Sequence, residues 1–161
     1  MSVNEKGKTF TLRVRQVGPL ESKISVLREM LDYAEKFFEP KVVLLDRGFF
    51  SVPVIRELKS RNRRFIMAAK RTSPIKKLIK EFERKKAPAE MGYIVRGEKG
   101  EEEVKLVFTE RETEEGKEVH PFVTNLNVGP EEVSELYVCR WRIETNSREF
   151  RKFLPFTTVL A

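Results

Sequence analysis

The sequence predicts an α/β fold in which strands and helices alternate, an antiparallel meander follows, and a long helix comes last. Three observations predict it. Two compact apolar runs, Val42–Leu45 and Phe65–Ala69, are each followed by residues at helical spacing. From Gly92 to Asn125, apolar residues recur at every second position between charged, glycine-containing turns. After Gly129-Pro130 the helical period returns and runs to Leu154.

Each element has its own local reason. Lys8–Val17 alternates, with Phe10, Leu12 and Val14 on one side and Thr11, Arg13 and Arg15 on the other, which is a strand with one buried face. Asn4-Glu5-Lys6-Gly7 reads as a turn, so Met1–Val3 is the stub of a paired strand. Ile24, Leu27, Met30, Leu31, Ala34, Phe37 and Phe38 fall at helical spacing, with Ser22 as cap and Pro40 as terminator. Lys41–Asp46 lacks alternation and reads as a strand covered on both faces. Arg47–Phe50 is a tight connection, and Ser51 caps a helix with Pro53 in its first turn that runs to Arg61. RFIMAA is a second buried strand, and Ser73-Pro74 opens a helix to Lys86. That helix buries Ile75, Leu78, Ile79 and Phe82, and its opposite face carries Lys76, Lys77, Lys80, Arg84 and Lys85. The whole chain, 1–161, reads as one domain with a β insertion at 90–126.

Composition narrows the function. With 161 residues, 40% of them hydrophobic, the chain buries a real core and is no disordered tail. Its apolar runs are far too short to span a bilayer, and MSVNEKGKTF lacks the apolar stretch of a signal peptide. The cytoplasm is the expected location. One cysteine, Cys139, excludes an internal disulfide and a cysteine-rich zinc site, and one histidine, His120, excludes a His-rich metal site. Cys139 reads as a packing residue and His120 as a surface residue. Lys plus Arg is 32 against 25 acids, a net +7 that makes nucleic acid the default partner. Only Asp32 and Asp46 are aspartates and only Gln16 is a glutamine. A Lys/Glu-rich, Gln-poor chain fits work at high temperature.

Two features carry candidate chemistry. Asp46 ends a buried parallel-type strand, where functional groups gather in open α/β sheets, although an aspartate there also serves as a turn cap. Tyr137, Arg140, Glu144 and Arg151 lie at i, i+3, i+7 and i+14 of the last helix. At about 100° per residue they fall within an arc of roughly 60°. Such a stripe is either functional or a solvated face held by an Arg140–Glu144 pair. The core stripe of the same helix is expected at Val133, Leu136, Ile143, Phe150 and Leu154, flanked by Trp141.

The run LLDRGFFS, then RFIMAAKR, and later VTNLN and ELYVCRWRIETNSREFRKFL resemble the DDE transposases of bacterial and archaeal insertion sequences, specifically the IS-four type with a Y-x2-R-x3-E-x6-K helix signature. Tyr137, Arg140 and Glu144 match that spacing. Arg151 stands where the signature has lysine, with Lys152 beside it. The resemblance covers Lys8 to Phe153 and implies a ribonuclease-H-like core with a β insertion before the last catalytic helix. It implies Asp46 and Glu144 as catalytic carboxylates that hold Mg2+, a hard cation suited to oxygen donors. It implies Tyr137, Arg140 and Arg151 or Lys152 as contacts to DNA, and metal-dependent DNA cleavage and strand transfer as the chemistry. Candidate partners are transposon-end DNA, a second copy of the chain, or a full-length transposase.

One family position has no match. The first of the two aspartates sits on an earlier strand, and Asp32 lies within an amphipathic helix. The resemblance therefore implies a core incomplete at its N-terminus and a chain inactive by itself. The alternative is a non-catalytic DNA-binding or interfering remnant, or a product with no present role. Loss of the first strand would leave Lys41–Asp46 with an open edge. The expectation is that Lys8–Val17 slides in beside it or that two copies pair edge to edge.

Overall fold

The computed structural model describes residues 2–5, 8–11, 18–138 and 140, with side chains for 18–138 and 140. Two short strands, β1 (Ser2–Glu5) and β2 (Lys8–Thr11), form an antiparallel hairpin in register Ser2↔Thr11 to Glu5↔Lys8. The rest follows the order α1 (Lys23–Ala34), β3 (Val43–Leu45), a 3-10 turn (Arg47–Phe49), α2 (Val52–Ser60), β4 (Phe65–Ala68), α3 (Ser73–Glu83), β5 (Glu90–Gly97), β6 (Gly100–Thr113) and β7 (Gly116–Thr124). Residues 130–138 and 140 are helical and are called α4 here.

Five strands make one sheet in the order β3-β4-β7-β6-β5. β3 and β4 are parallel, as their α2 crossover requires, and every other pairing is antiparallel. The meander is thus no separate sheet, because β7 pairs directly with β4. Two side-chain links secure that junction. Thr124 Oγ1, fully buried, donates to the Phe65 carbonyl at 2.6 Å and accepts from Leu126 N at 3.0 Å. Asn125 accepts from Phe65 N at 3.0 Å and donates to the Arg63 carbonyl at 2.8 Å. The Val-Thr-Asn segment therefore joins the end of β7 to the start of β4.

Period-two alternation sends side chains to both faces of the sheet. On one face Leu45, Phe65, Met67, Leu106, Phe108 and Val123 pack with Leu27 and Leu31 of α1, Ile55 and Leu58 of α2, and Ile75 and Ile79 of α3. On the other, Ile66, Val107 and Phe122 pack with Val133 and Tyr137 of α4. β3 touches both clusters, but only Leu45 is fully buried; Val42, Val43 and Leu44 are half-buried. The expected two-sided cover of this strand is incomplete because it lies at the rim of the sheet rather than in its middle.

Helix limits depart from the sequence reading in physical detail. Ser22 caps α1 as expected, accepting from Ser25 N. α1 then stops at Ala34, three residues before Phe37. Pro40 disfavours helical backbone just upstream, and the chain closes instead with Phe37 and Phe38 amides on the Ala34 carbonyl. Phe37 is left 64% exposed, outside the core stripe assigned to it. α2 and α3 both end with a left-handed residue, Asn62 (φ 54) and Lys85 (φ 58). In each case that residue's own amide and the one after it fold back onto the last turn, so α3 ends at Glu83 rather than Lys86. The cap of α3 is Thr72, one residue before Ser73. The described part of the Lys8–Val17 segment pairs in the small hairpin and not beside β3.

The buried Thr124 gives a direct test of the β4–β7 junction. Thr124→Val keeps the shape but leaves the Leu126 amide without that acceptor, which should cost about 1–3 kcal/mol. Denaturant unfolding followed by circular dichroism measures it, and an unchanged midpoint would show that the junction does not rest on this hydroxyl.

Candidate functional site

β3 delivers Asp46 to the carboxyl edge of the sheet, and the local sequence fixes its carboxylate. Asp46 is the cap of the Arg47–Phe49 turn, its Oδ1 accepting from Gly48 N at 2.8 Å. A Cβ at position 48 would lie 2.9 Å from that same oxygen, so glycine lets the carboxylate approach without having to shift. The turn-cap reading of Asp46 is correct, and it occupies one oxygen only.

The other oxygen faces α4. Arg140 donates from a terminal guanidinium nitrogen to Asp46 Oδ2 at 3.1 Å, across 94 residues of sequence. The Arg140 side chain is 10% exposed and that of Asp46 37%. Tyr137, one turn earlier, donates its hydroxyl to the carbonyl of Leu45, the residue before Asp46, at 2.9 Å. Its ring packs edge-on against Phe122 at 4.6 Å, and the Arg140 guanidinium lies 5.6 Å from the ring centre. Val133, Tyr137 and Arg140 thus share the buried face of α4, whereas Leu136, assigned to the core stripe, is 36% exposed. A freely solvated Arg140 is excluded by the same burial. Helical phase decides it: i, i+4 and i+7 from Val133 point at the sheet, and Leu136 lies off that line.

Glu144, Arg151 and Lys152 lie outside the described residues, as do Cys139 and the rest of the expected core stripe from Trp141 onward. Asp32 is described and is not near a strand end. It sits on α1 and receives Arg61 at 2.6 Å. Its place on α1 is the helical one that the sequence assigned to it.

Asp46, Tyr137 and Arg140 line an open cleft of about 780 Å3. Sequence reasoning missed the rest of its wall. Arg47 follows Asp46 directly, and Lys70 and Arg71 follow β4, whose parallel end lies beside that of β3. The strand-end rule applied to β4 as well as β3 would have found them. Arg111 and Glu118 face each other across the β6–β7 hairpin, and no local signal marks them. Among the described residues the cleft carries five cations (Arg47, Lys70, Arg71, Arg111, Arg140) against two carboxylates (Asp46, Glu118), so its field favours an anion. Arg71 is fixed by Glu118 and by the Val119 carbonyl, each at 2.8 Å.

His120 also lines the cleft and is not the surface residue expected. Its side chain is 28% exposed, and Nε2 is buried without a hydrogen-bond partner among the described residues; Glu118 Oε2 is 3.5 Å away, too far for a good bond. Burial lowers its pKa below the ordinary 6.5; Glu118 opposes this, and the cations Arg71 and Arg111 add to it. Because the folded state binds this proton less well than the unfolded chain, stability is lost as pH falls through 6.5 toward the lowered value. Urea unfolding across that window should show stability rising with pH, and His120→Gln should remove that part of the slope. A slope identical in the variant would assign it to other groups.

Two comparisons bear on this geometry. A family model described as transposase DDE domain matches residues 19–154. No curated protein matches the chain. The mixed α/β architecture, with its five-stranded mixed sheet and flanking helices, is consistent with a ribonuclease-H-like fold. Among the described residues no helix is long and apolar enough to cross a membrane.

Proposed function

The chain belongs to the transposase DDE domain family, and from that premise we propose that its cleft binds DNA phosphates beside Asp46, within the metal-dependent cleavage and strand-transfer chemistry of transposition. The observation that carries this reading is the cation-lined cleft around a strand-end carboxylate. Arg47, Lys70, Arg71 and Arg111 neutralise backbone charge without reading bases. Arg140, held by the Tyr137 ring, presents a guanidinium whose planar fork suits a phosphate. Tyr137 keeps the helix in register with β3 through its bond to Leu45. From the family spacing we assign Arg151 and Lys152 as further DNA contacts, with a transposon end as the partner.

We assign Mg2+ to Asp46 and Glu144. Asp46 fits as one ligand, being a hard oxygen donor that faces the cleft. No cluster of three potential ligands exists among the described residues, so the described part of the chain does not complete a metal site. Such a cation, when bound, activates water or a DNA 3′ hydroxyl for in-line attack on a phosphodiester. The second reading, a DNA-binding remnant without catalysis, is favoured by one observation: the only other aspartate, Asp32, is held by Arg61 on the helical layer.

The two readings separate in a nicking assay on linear DNA with Mg2+ or Mn2+. With two of the family's three carboxylates matched, cleavage by these 161 residues should be absent or very slow. Robust nicking abolished in Asp46→Ala would mean that another group replaces the unmatched aspartate.

DNA binding itself is tested by titration at several salt concentrations. Affinity should be largely sequence-independent and fall steeply with salt, and Arg140→Ala should flatten the slope by up to about one unit. Binding indifferent to ionic strength, or none at low salt, would remove DNA as the ligand.

A further inference from the structure

We propose that Arg140 exchanges partners: it neutralises Asp46 while the cleft is empty and moves to a DNA phosphate when one arrives, freeing the Asp46 carboxylate only then. This rests on the DNA-binding reading above. It concerns the order of events at the site and not the identity of its ligand.

The geometry supports it at three points. Both Asp46 oxygens already have partners on the chain, Gly48 N on Oδ1 and Arg140 on Oδ2. The Gly48 contact belongs to the local turn and persists whatever the cleft holds. The Arg140 contact is the exchangeable one, because it crosses from one element to another and lines the cleft on both sides. Second, the guanidinium is nearly buried while its partner carboxylate is more than a third exposed. A buried cation keeps an anion beside it, and a phosphate entering the cleft can replace a carboxylate in that role. Third, Arg140 has a pivot. Tyr137 is bonded to the Leu45 carbonyl and packed edge-on against Phe122, so the guanidinium can swing over a ring held at two points.

Partner exchange makes a prediction that general electrostatics does not. Removing the Asp46 charge raises the field of the cleft whatever Arg140 does, but it releases the guanidinium only if the two are coupled. The experiment is a double-mutant cycle on binding of a short random-sequence duplex, with EDTA present and ionic strength fixed, using the unmutated chain, Asp46→Asn, Arg140→Gln and the double variant. Asp46→Asn should tighten binding by about fivefold or more when Arg140 is present, and by less than about twofold in the Arg140→Gln background. Equal tightening in both backgrounds would reduce the effect to charge repulsion and overturn the exchange. So would no tightening in either.

A second measurement needs no variant. The carboxyl carbon of Asp46, observed by 13C NMR in the unmutated chain, should shift as the duplex saturates the cleft. A resonance that stays in place while DNA binds would overturn the exchange and leave the DNA-binding reading intact. Failure of the unmutated chain to bind the duplex at low salt would instead overturn the DNA-binding reading, and the exchange with it.

Discussion

A guanidinium taken almost wholly out of water has to meet a negative group, and the cleft is organised around that requirement. Arg140 reaches its position because α4 lies across the second face of the sheet, with Val133 and Tyr137 packed on Ile66, Val107 and Phe122. From there it meets Asp46 at the end of β3. Tyr137 sets the registration of the two elements by donating to the carbonyl of the preceding residue, Leu45. Among the described residues, one strand end and one helix turn are therefore held together by two polar contacts and an edge-on ring contact, each of which specifies where the others sit. Polar links in a nearly dry setting tolerate little error in position, which is why they specify geometry more sharply than apolar packing does.

The cleft exists because parallel and antiparallel strands meet in one sheet. β3 and β4 run the same way and end together, bringing Asp46, Arg47, Lys70 and Arg71 to one edge. β7 runs against β4, and the β6–β7 hairpin continues past the point where pairing with β4 stops. Arg111, Glu118 and His120 on that extension form the opposite wall. Thr124 and Asn125 set how far the hairpin overhangs, since they fix the end of β7 on the first residues of β4. The loop into α4 is tied down in turn: Lys105 donates to the Val128 carbonyl at 2.9 Å and pairs with Glu90 at 3.1 Å.

Ion pairs do most of the polar work on the opposite layer. Arg61, the residue that follows α2, reaches Asp32 of α1, Glu35 just after it and Glu57 of α2. Burial acts to raise the pKa of Glu57, but the hydrogen bonds from Arg61 and Arg28 outweigh it and hold the carboxyl below its usual range. Arg56 and Lys59 both grip Glu102, and Arg56 and Lys59 also donate to backbone carbonyls at Lys99 and Glu103. Here Lys59 and Arg56 lower the Glu102 pKa, chiefly through the hydrogen bonds themselves. These side chains are mostly near the surface, so each pair contributes little alone. As networks they orient α1 and the β5–β6 hairpin against α2, and the charge-rich composition is spent there rather than only on a basic face.

What the sequence determined by itself was the alternation of elements, the cap positions of α1 and α2, and the chemistry offered at two places. Period and run length identified β3, β4, α1, α2, α3 and the meander, because those signals arise from which side of a local element must leave water. Position at a strand end marked Asp46, and family spacing marked Tyr137 and Arg140. Tertiary structure alone decided the rest. It joined the meander to the core through β7 and turned Leu136 outward while Arg140 went in. It also placed Lys70, Arg71, Arg111 and His120 around one cleft. None of these is a local property: helix phase against a sheet, strand order and the overhang of a hairpin depend on contacts between residues tens of positions apart, whose energies no short window of sequence contains.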